Sequence, residues 1–298
     1  RSPKDKRNSP AIDLFSENKI SSKQSLLFNM VGKILQTNYD YSYTENVNEN
    51  NSHFEYGVEG KRKSLITEIM HTYSLKNLSW DSGLRYKYSD THNLYSYDII
   101  NDFDSKDQNL YAYTQFSWNV KNIYYMGGIG INWVSFKEGG NSFYKVLYRP
   151  LGRIKYMPLD NFSMSYQFSM QPTIPSLSTL SGITKSLNRY EFETGNSALH
   201  PYDNIKHKLS LSWNPNRWYI SLNYNIESAK NLFAPGIYCQ NGKLGYQHIN
   251  FDSKTVSKID FYTSFDIIKD MLFIDRYISY NYYKFIIEDE TFSLTDYT

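Results

Sequence analysis

Residues 161–170 read NFSMSYQFSM, an alternation without a break. From an extended chain Phe162, Met164, Tyr166, Phe168 and Met170 project one way, and Ser163, Ser165, Gln167 and Ser169 the other. The segment reads as a strand with one apolar wall and one polar wall, so the question is which solvent wets each. A soluble sandwich hides the apolar wall in a core, whereas a transmembrane barrel turns it to lipid and keeps the polar wall inside. The polar wall here is Ser, Ser, Gln, Ser, with none of the Lys and Glu that usually coat a soluble sheet. With its setting, between a tight turn and the longest connection of the chain, this predicts that Phe162, Met164, Tyr166, Phe168 and Met170 face lipid.

The same scheme recurs elsewhere. Leu78, Trp80, Leu84, Tyr86 and Tyr88 oppose Ser79, Asp81, Gly83, Arg85 and Lys87, and Trp218, Ile220, Leu222, Tyr224 and Ile226 oppose Tyr219, Ser221, Asn223, Asn225 and Glu227. Strands of about nine to thirteen residues exceed the usual length of about five or six and suit a tilted bilayer crossing. Tight turns are expected at Leu75–Asn77, Asn119–Asn122, Pro158–Asn161, Asn214–Asn216 and Lys269–Asp270. The alternate connections, Ser89–Asp107, Phe136–Ser142, Pro172–Tyr202 and Ala229–Val256, read as long loops. Short turns at one end and long loops at the other describe an antiparallel up-and-down transmembrane β-barrel. A Greek-key sandwich has no reason to sort its loops in this way. Trp80, Trp118, Trp213 and Trp218 lie beside the short turns, where an interfacial girdle of aromatic rings belongs. Within the last long connection, Asn241-Gly242 predicts a type I′ hairpin rising beyond the membrane.

Composition is compatible with this reading. The 298 residues include 29 Tyr and 17 Phe, favoured both in strands and at membrane interfaces. A mean hydropathy of −0.59 is polar, but a membrane barrel shows lipid only every second residue. No apolar run approaches the roughly 18 residues of a transmembrane helix. The net charge of +2 comes from scattered Lys and Arg, which argues against a nucleic-acid partner. One cysteine, Cys239, rules out an internal disulfide. Residues 1–22 are charged, proline-bearing and aperiodic, and read as a polar tether or loop piece.

Little in the sequence points to catalysis or a cofactor, and the chain reads as a non-enzyme. The 6 His show no metal-ligand spacing, so no metal is expected. Gly127, Gly128 and Gly130 lie within a strand with no following helix, so close packing under aromatic neighbours explains them better than a phosphate loop. Arg149, Arg153 and Lys155, with Arg85, fall on the polar wall and would face the lumen, since Arg or Lys facing lipid costs about 2–4 kcal/mol at the midplane. They are candidate contacts for an anionic ligand or a plug, or else are paired with acids such as Asp260 and Asp266. Pro150 cannot donate to a ladder, so a bulge or break is expected there.

The run YRPLGRIKYMPLDNFSMSYQFSMQPTIPSLSTL (residues 148–180), followed by Gly195-Asn196-Ser197-Ala198-Leu199-His200-Pro201, resembles the barrel region of TonB-dependent outer-membrane receptors, particularly those of Bacteroidetes-type bacteria. Ser197 stands where that family's element has proline. The resemblance implies a cell outer-membrane protein with about 22 strands in the whole barrel and an N-terminal plug inside. Its expected partners are outer-membrane lipid, that plug, TonB and an extracellular ligand. About 10–14 strands are legible here, so residues 23–298 are expected to be a barrel segment without plug domain or final strands. Two alternatives stay open: a smaller complete barrel acting as a diffusion pore or structural protein, and a soluble glycan-binding sandwich.

Overall fold

The computed structural model describes Lys4 to Thr298 apart from residues 48–49, 97–99, 139–140, 183, 188–189, 269–270 and 288. The chain runs through β1 (Lys4–Asn8), β2 (Ala11–Ser21), β3 (Gln24–Val47), β4 (Asn50–Ser74), β5 (Leu78–Ser96), β6 (Ile100–Val120), β7 (Ile123–Glu138), β8 (Asn141–Leu159) and β9 (Phe162–Thr173). It continues through α1 (Leu177–Leu180), β10 (Thr184–Ser186), β11 (Glu191–Thr194), β12 (Tyr202–Trp213), β13 (Trp218–Lys230), β14 (Phe233–Gln240), β15 (Lys243–Asn250), β16 (Ser253–Ile268), β17 (Leu272–Ile287) and β18 (Glu290–Tyr297).

One 14-stranded sheet carries almost everything, in the order β1-β3-β4-β5-β6-β7-β8-β9-β12-β13-β16-β17-β18 with β2 also beside β3. A separate 4-stranded sheet has the order β10-β11-β15-β14. Neighbours in the large sheet are antiparallel and nearly all consecutive in sequence, the up-and-down pattern of a membrane barrel; the barrel is not closed. Among the described residues no helix is long and apolar enough to cross a membrane, which says nothing of crossing by strands.

Register fixes the faces. Phe162, Met164, Tyr166, Phe168 and Met170 of β9 stand opposite Trp213, Leu211, Leu209, His207 and Ile205 of β12, while Ser163, Ser165, Gln167 and Ser169 stand opposite Ser212, Ser210, Lys208 and Lys206. The apolar row continues through Tyr156 and Ile154 of β8 and through Ile220, Leu222 and Tyr224 of β13. This face is open: Trp80, Leu84, Phe116, Ile154, Tyr166 and Leu222 are all exposed, and the buried hydrophobic residues described are only Val134, Phe136, Leu180, Leu199 and Ala229. Each large apolar side chain left in water forgoes about 1.5–3 kcal/mol, so a sheet of this size needs an apolar neighbour along that face. A soluble sandwich would supply one with a second facing sheet; the second sheet here is small and pairs with none of the large one.

Several expectations need correction. Residues 4–21 are not a tether: β1 pairs with Gln36–Asp40 and β2 with Gln24–Lys33 of β3. The break between them holds Pro10, which has no N–H to give but whose carbonyl accepts from Ile34 N at 3.0 Å. The stretch Ser89–Asp107 is not a loop, because β5 and β6 stay paired from Ser89↔Asp107 up to Ser96↔Ile100. β8 runs through Pro150 without a shift against β7, and its irregularity comes later, between Tyr156 and Leu159 on the β9 side. Pro150 is tolerated since β8–β9 pairing begins only at Leu151, leaving no partner that needs its missing N–H.

Tight turns fall at residues 75–77, 121–122, 160–161 and 214–217, with Lys121 (φ 49°) and Asn216 (φ 56°) left-handed. The expected turn at 269–270 lies outside the described residues. Asn241 (φ 52°) and Gly242 (φ 71°) make the anticipated type I′ turn between β14 and β15. Gly242→Ala forces an L side chain into this region at about 1–2 kcal/mol. Amides of β14 and β15 should then exchange about 5–30 times faster, with the large sheet unaffected; hydrogen-exchange mass spectrometry reads both.

Candidate binding site at the loop end

The connection from β9 to β12 folds back onto the polar face. Ser176 opens α1: Thr179 N donates to Ser176 Oγ at 3.3 Å, and Thr179 Oγ1 donates to the Ser176 carbonyl at 2.8 Å. This turn drops Leu180 against Phe136 and Leu199, with Phe143 and Phe233 packed around them. Phe136 and Phe143 are directly opposed on β7 and β8, so the cluster pins the connection to the top of that hairpin.

The Gly195–Pro201 element explains how it is held. A Cβ on Gly195 would collide with the Ser181 backbone, so only glycine permits this approach. Asn196 N donates to the Thr179 carbonyl at 2.7 Å, and its Nδ2 donates to the His248 carbonyl at 2.9 Å. Leu199 is 0% exposed. His200 N donates to Asn250 Oδ1 at 3.2 Å, and Gln247 Nε2 donates to the Gly195 carbonyl at 3.0 Å. The element is a clasp joining α1 to β15. The small sheet is tied in as well: Tyr246 OH donates to Glu191 Oε1 at 2.9 Å, which holds the phenol above its ordinary pKa.

Between this connection and the upper polar face of β4–β7 lies a cavity of about 530 Å³. Arg62, Lys87, Asp107 and Glu138 supply its charge, and Ile174, Pro175 and Leu180 its apolar lid. Lys87 Nζ lies 3.6 Å from Asp107 Oδ2, and Arg62 Nη2 donates to Ser89 Oγ at 2.9 Å. Arg62 Nε and Thr91 Oγ1 are buried without a protein partner, leaving polar capacity that a bound ligand could take up. The size lies within the range of about 300–1,000 Å³ for small-molecule sites.

The residues singled out from sequence lie lower and apart from this cavity. Arg149 stacks over the Tyr111 ring at 5.1 Å, and Tyr111 stacks on Tyr113 at 5.4 Å between centroids. Gly130 and Gly83 make room for these two rings, as a Cβ there would fall 2.5 Å and 2.6 Å from ring atoms. Gly127 lies under Phe116 on the opposite face, so these glycines serve packing. Arg153 and Lys155 pair across to Gln167 and Ser165, and Arg85 to Glu68 and Tyr111, all on the polar face. Asp260 is not a partner for the β8 cations: Lys258 Nζ lies 3.0 Å from it, and Tyr277 OH donates to it at 2.6 Å. Arg62, Lys87, Asp107 and Glu138 were missed; continued alternation past Arg85 and Lys87 was the available signal. Trp80, Trp118, Trp213 and Trp218 share the apolar face beside the tight turns, with Trp118 against Tyr125 and Trp218 against Phe265. The strand ladder also brings His92 next to Asp102 and Asp104, a proximity no linear spacing shows. Its hydrogen bond with Asp104, then the charge of Asp102, hold the imidazole above its ordinary pKa.

The sequence matches no family model and no curated protein. Solved structures do match. The copper transporter OprC superposes with a TM-score of 0.71 at 11% identity, over 97% of this chain and 47% of that one. The ferric-catecholate import receptor Fiu of E. coli K12 gives 0.64 at 8% identity, over 98% and 53%. FpvA of P. aeruginosa, solved with pyoverdine bound, gives 0.61 at 11% identity, over 97% and 49%. The fold is that of the TonB-dependent receptor barrel. This chain spans about half the length of the receptors it matches.

Proposed function

We propose that this chain forms about half of an outer-membrane receptor barrel that captures an extracellular ligand at its loop end and passes it through the lumen in a TonB-dependent manner. The apolar face, with Phe162, Met164, Tyr166, Phe168 and Met170, then meets lipid, the four tryptophans form the girdle, and the polar face lines the lumen. Further strands pair with the free edges at β1–β2 and β18, because lipid does not tolerate an open sheet edge. A plug in the lumen would meet Arg85, Arg149, Arg153 and Lys155. The observation that carries this reading is the cavity roofed by the clasped connection, at the end away from the tight turns. A diffusion pore has no use for such a roof.

Planar-bilayer recording separates the two. A plugged receptor adds little conductance when the full-length protein inserts, whereas a diffusion pore gives stable open steps. Open steps from the purified protein would overturn the receptor reading. Membrane fractionation tests the setting itself, since recovery in the aqueous phase without detergent contradicts a lipid-facing wall.

A further inference from the structure

Above the apolar rows, β5 and β6 continue as a paired ladder in which His92 stands directly opposite Asp104, and Leu94 opposite Asp102. These side chains share the face of Trp80, Leu84 and Tyr86, four to eight positions beyond Tyr86 and Tyr88, and so point away from the cavity. His92 Nδ1 lies 2.9 Å from Asp104 Oδ1 and 3.3 Å from Asp102 Oδ1, and the three ligand atoms lie within 4.8 Å of one another. We propose that His92, Asp102 and Asp104 form a site for a divalent transition-metal ion of the Zn²⁺ class on the outer face of the β5–β6 hairpin.

Three physical points carry this. Two carboxylates converge on one ring nitrogen, and like charges held this close favour a shared cation. The donor set of one imidazole and two carboxylates suits Zn²⁺, Ni²⁺ or Cu²⁺, with the imidazole disfavouring Mg²⁺ and Ca²⁺. With metal–ligand bonds of about 2.1 Å, adjacent ligand atoms sit about 3.0 Å apart in an octahedron and about 3.4 Å in a tetrahedron, each within about 0.1 Å of one of the observed separations of 2.9 and 3.3 Å. The ligands also stand on a hydrogen-bonded ladder, so their geometry is set before the ion arrives. The adjoining groove carries Glu59 and the cations Lys6, Arg7 and Lys61, the last opposite His92 on β4, so the ion must outcompete nearby positive charge for the two carboxylates. An ion here would bridge β5 to β6 beyond the membrane, apart from the proposed ligand route.

The test uses the full-length protein in detergent, stripped with chelator and titrated with Zn²⁺ in a calorimeter. One equivalent should bind, and His92→Gln or the pair Asp102→Asn and Asp104→Asn should weaken it more than about 100-fold, beyond what loss of an outer-shell partner costs. His71→Ala, far down β4, should leave it unchanged. Cu²⁺ loaded into the unaltered protein should show coupling to one imidazole nitrogen by electron paramagnetic resonance, which needs no variant to fold. Zn²⁺ binding equal in all variants, no binding by the unaltered protein, or a Cu²⁺ spectrum without nitrogen coupling would each overturn the site.

Discussion

Arginine at position 166 is expected to leave most of the protein unassembled in the membrane, while arginine at 165 is tolerated. Tyr166 sits within β9 beside Ile154 of β8 and Leu209 of β12, and its hydroxyl shares a 2.7 Å hydrogen bond with His207 Nδ1. If that row meets hydrocarbon, a guanidinium there costs about 2–4 kcal/mol, or about 30-fold to 1,000-fold in the folding equilibrium. Ser165 lies one residue away on the opposite face, between Lys155 and Ser210. An arginine there meets water and one like charge, a cost of about 1 kcal/mol or less. Heat-modifiable electrophoretic mobility and urea titration in lipid vesicles both report the folded fraction. Equal effects at the two positions would overturn the lipid assignment for the whole row.

Leu199→Ala should open the clasp and leave the barrel intact. Leu199 is 0% exposed and packs between Phe136 and Leu180, where truncation of a buried leucine costs about 2–5 kcal/mol. The loss falls on a local unit rather than on the ladder, because this cluster joins Leu180 and Leu199 to Phe136 of β7 and Phe143 of β8 outside the strand hydrogen bonds. Limited proteolysis should cut within that connection at least about 30 times faster, with the folded mobility of the barrel unchanged. Ser197→Ala, at an exposed neighbour, should stay within about 0.5 kcal/mol of the parent. A connection in Leu199→Ala that resists protease as well as the parent would show that the clasp is held by something other than this cluster.

The faces of β5, β9 and β13 were legible because period-two alternation of apolar against polar residues is local information. The tight turns were legible for the same reason, through Asn, Pro and Gly. Where both faces are wet the signal weakens: Ser89–Asn93 alternates nothing apolar, yet Ser89–Ser96 pairs residue by residue with Ile100–Asp107. Ala11–Ser21 was lost differently, since an outer strand with every residue exposed has no buried face to pattern. The cavity was illegible because its lid and walls come from segments 36 to 118 positions apart, from Glu138 with Ile174 to Arg62 with Leu180. The Gly195–Pro201 element stood out as a motif, but its work as a clasp depends on His248 and Asn250, which no spacing reveals.

The one parallel pair among the described residues, β11 beside β15, constrains the order of assembly. Glu191 meets Leu244 across a chain excursion that includes all of β12, β13 and β14, whereas the large sheet grows mostly by joining successive hairpins. Closing so long an excursion in an unstructured chain spends entropy before any contact rewards it. Once β12 and β13 have zipped together, their ends already bring β11 and β15 close, and the closure costs little. The outer sheet is therefore a late-forming structure whose protection, in a pulse-labelling experiment, timestamps completion of the strands beneath it.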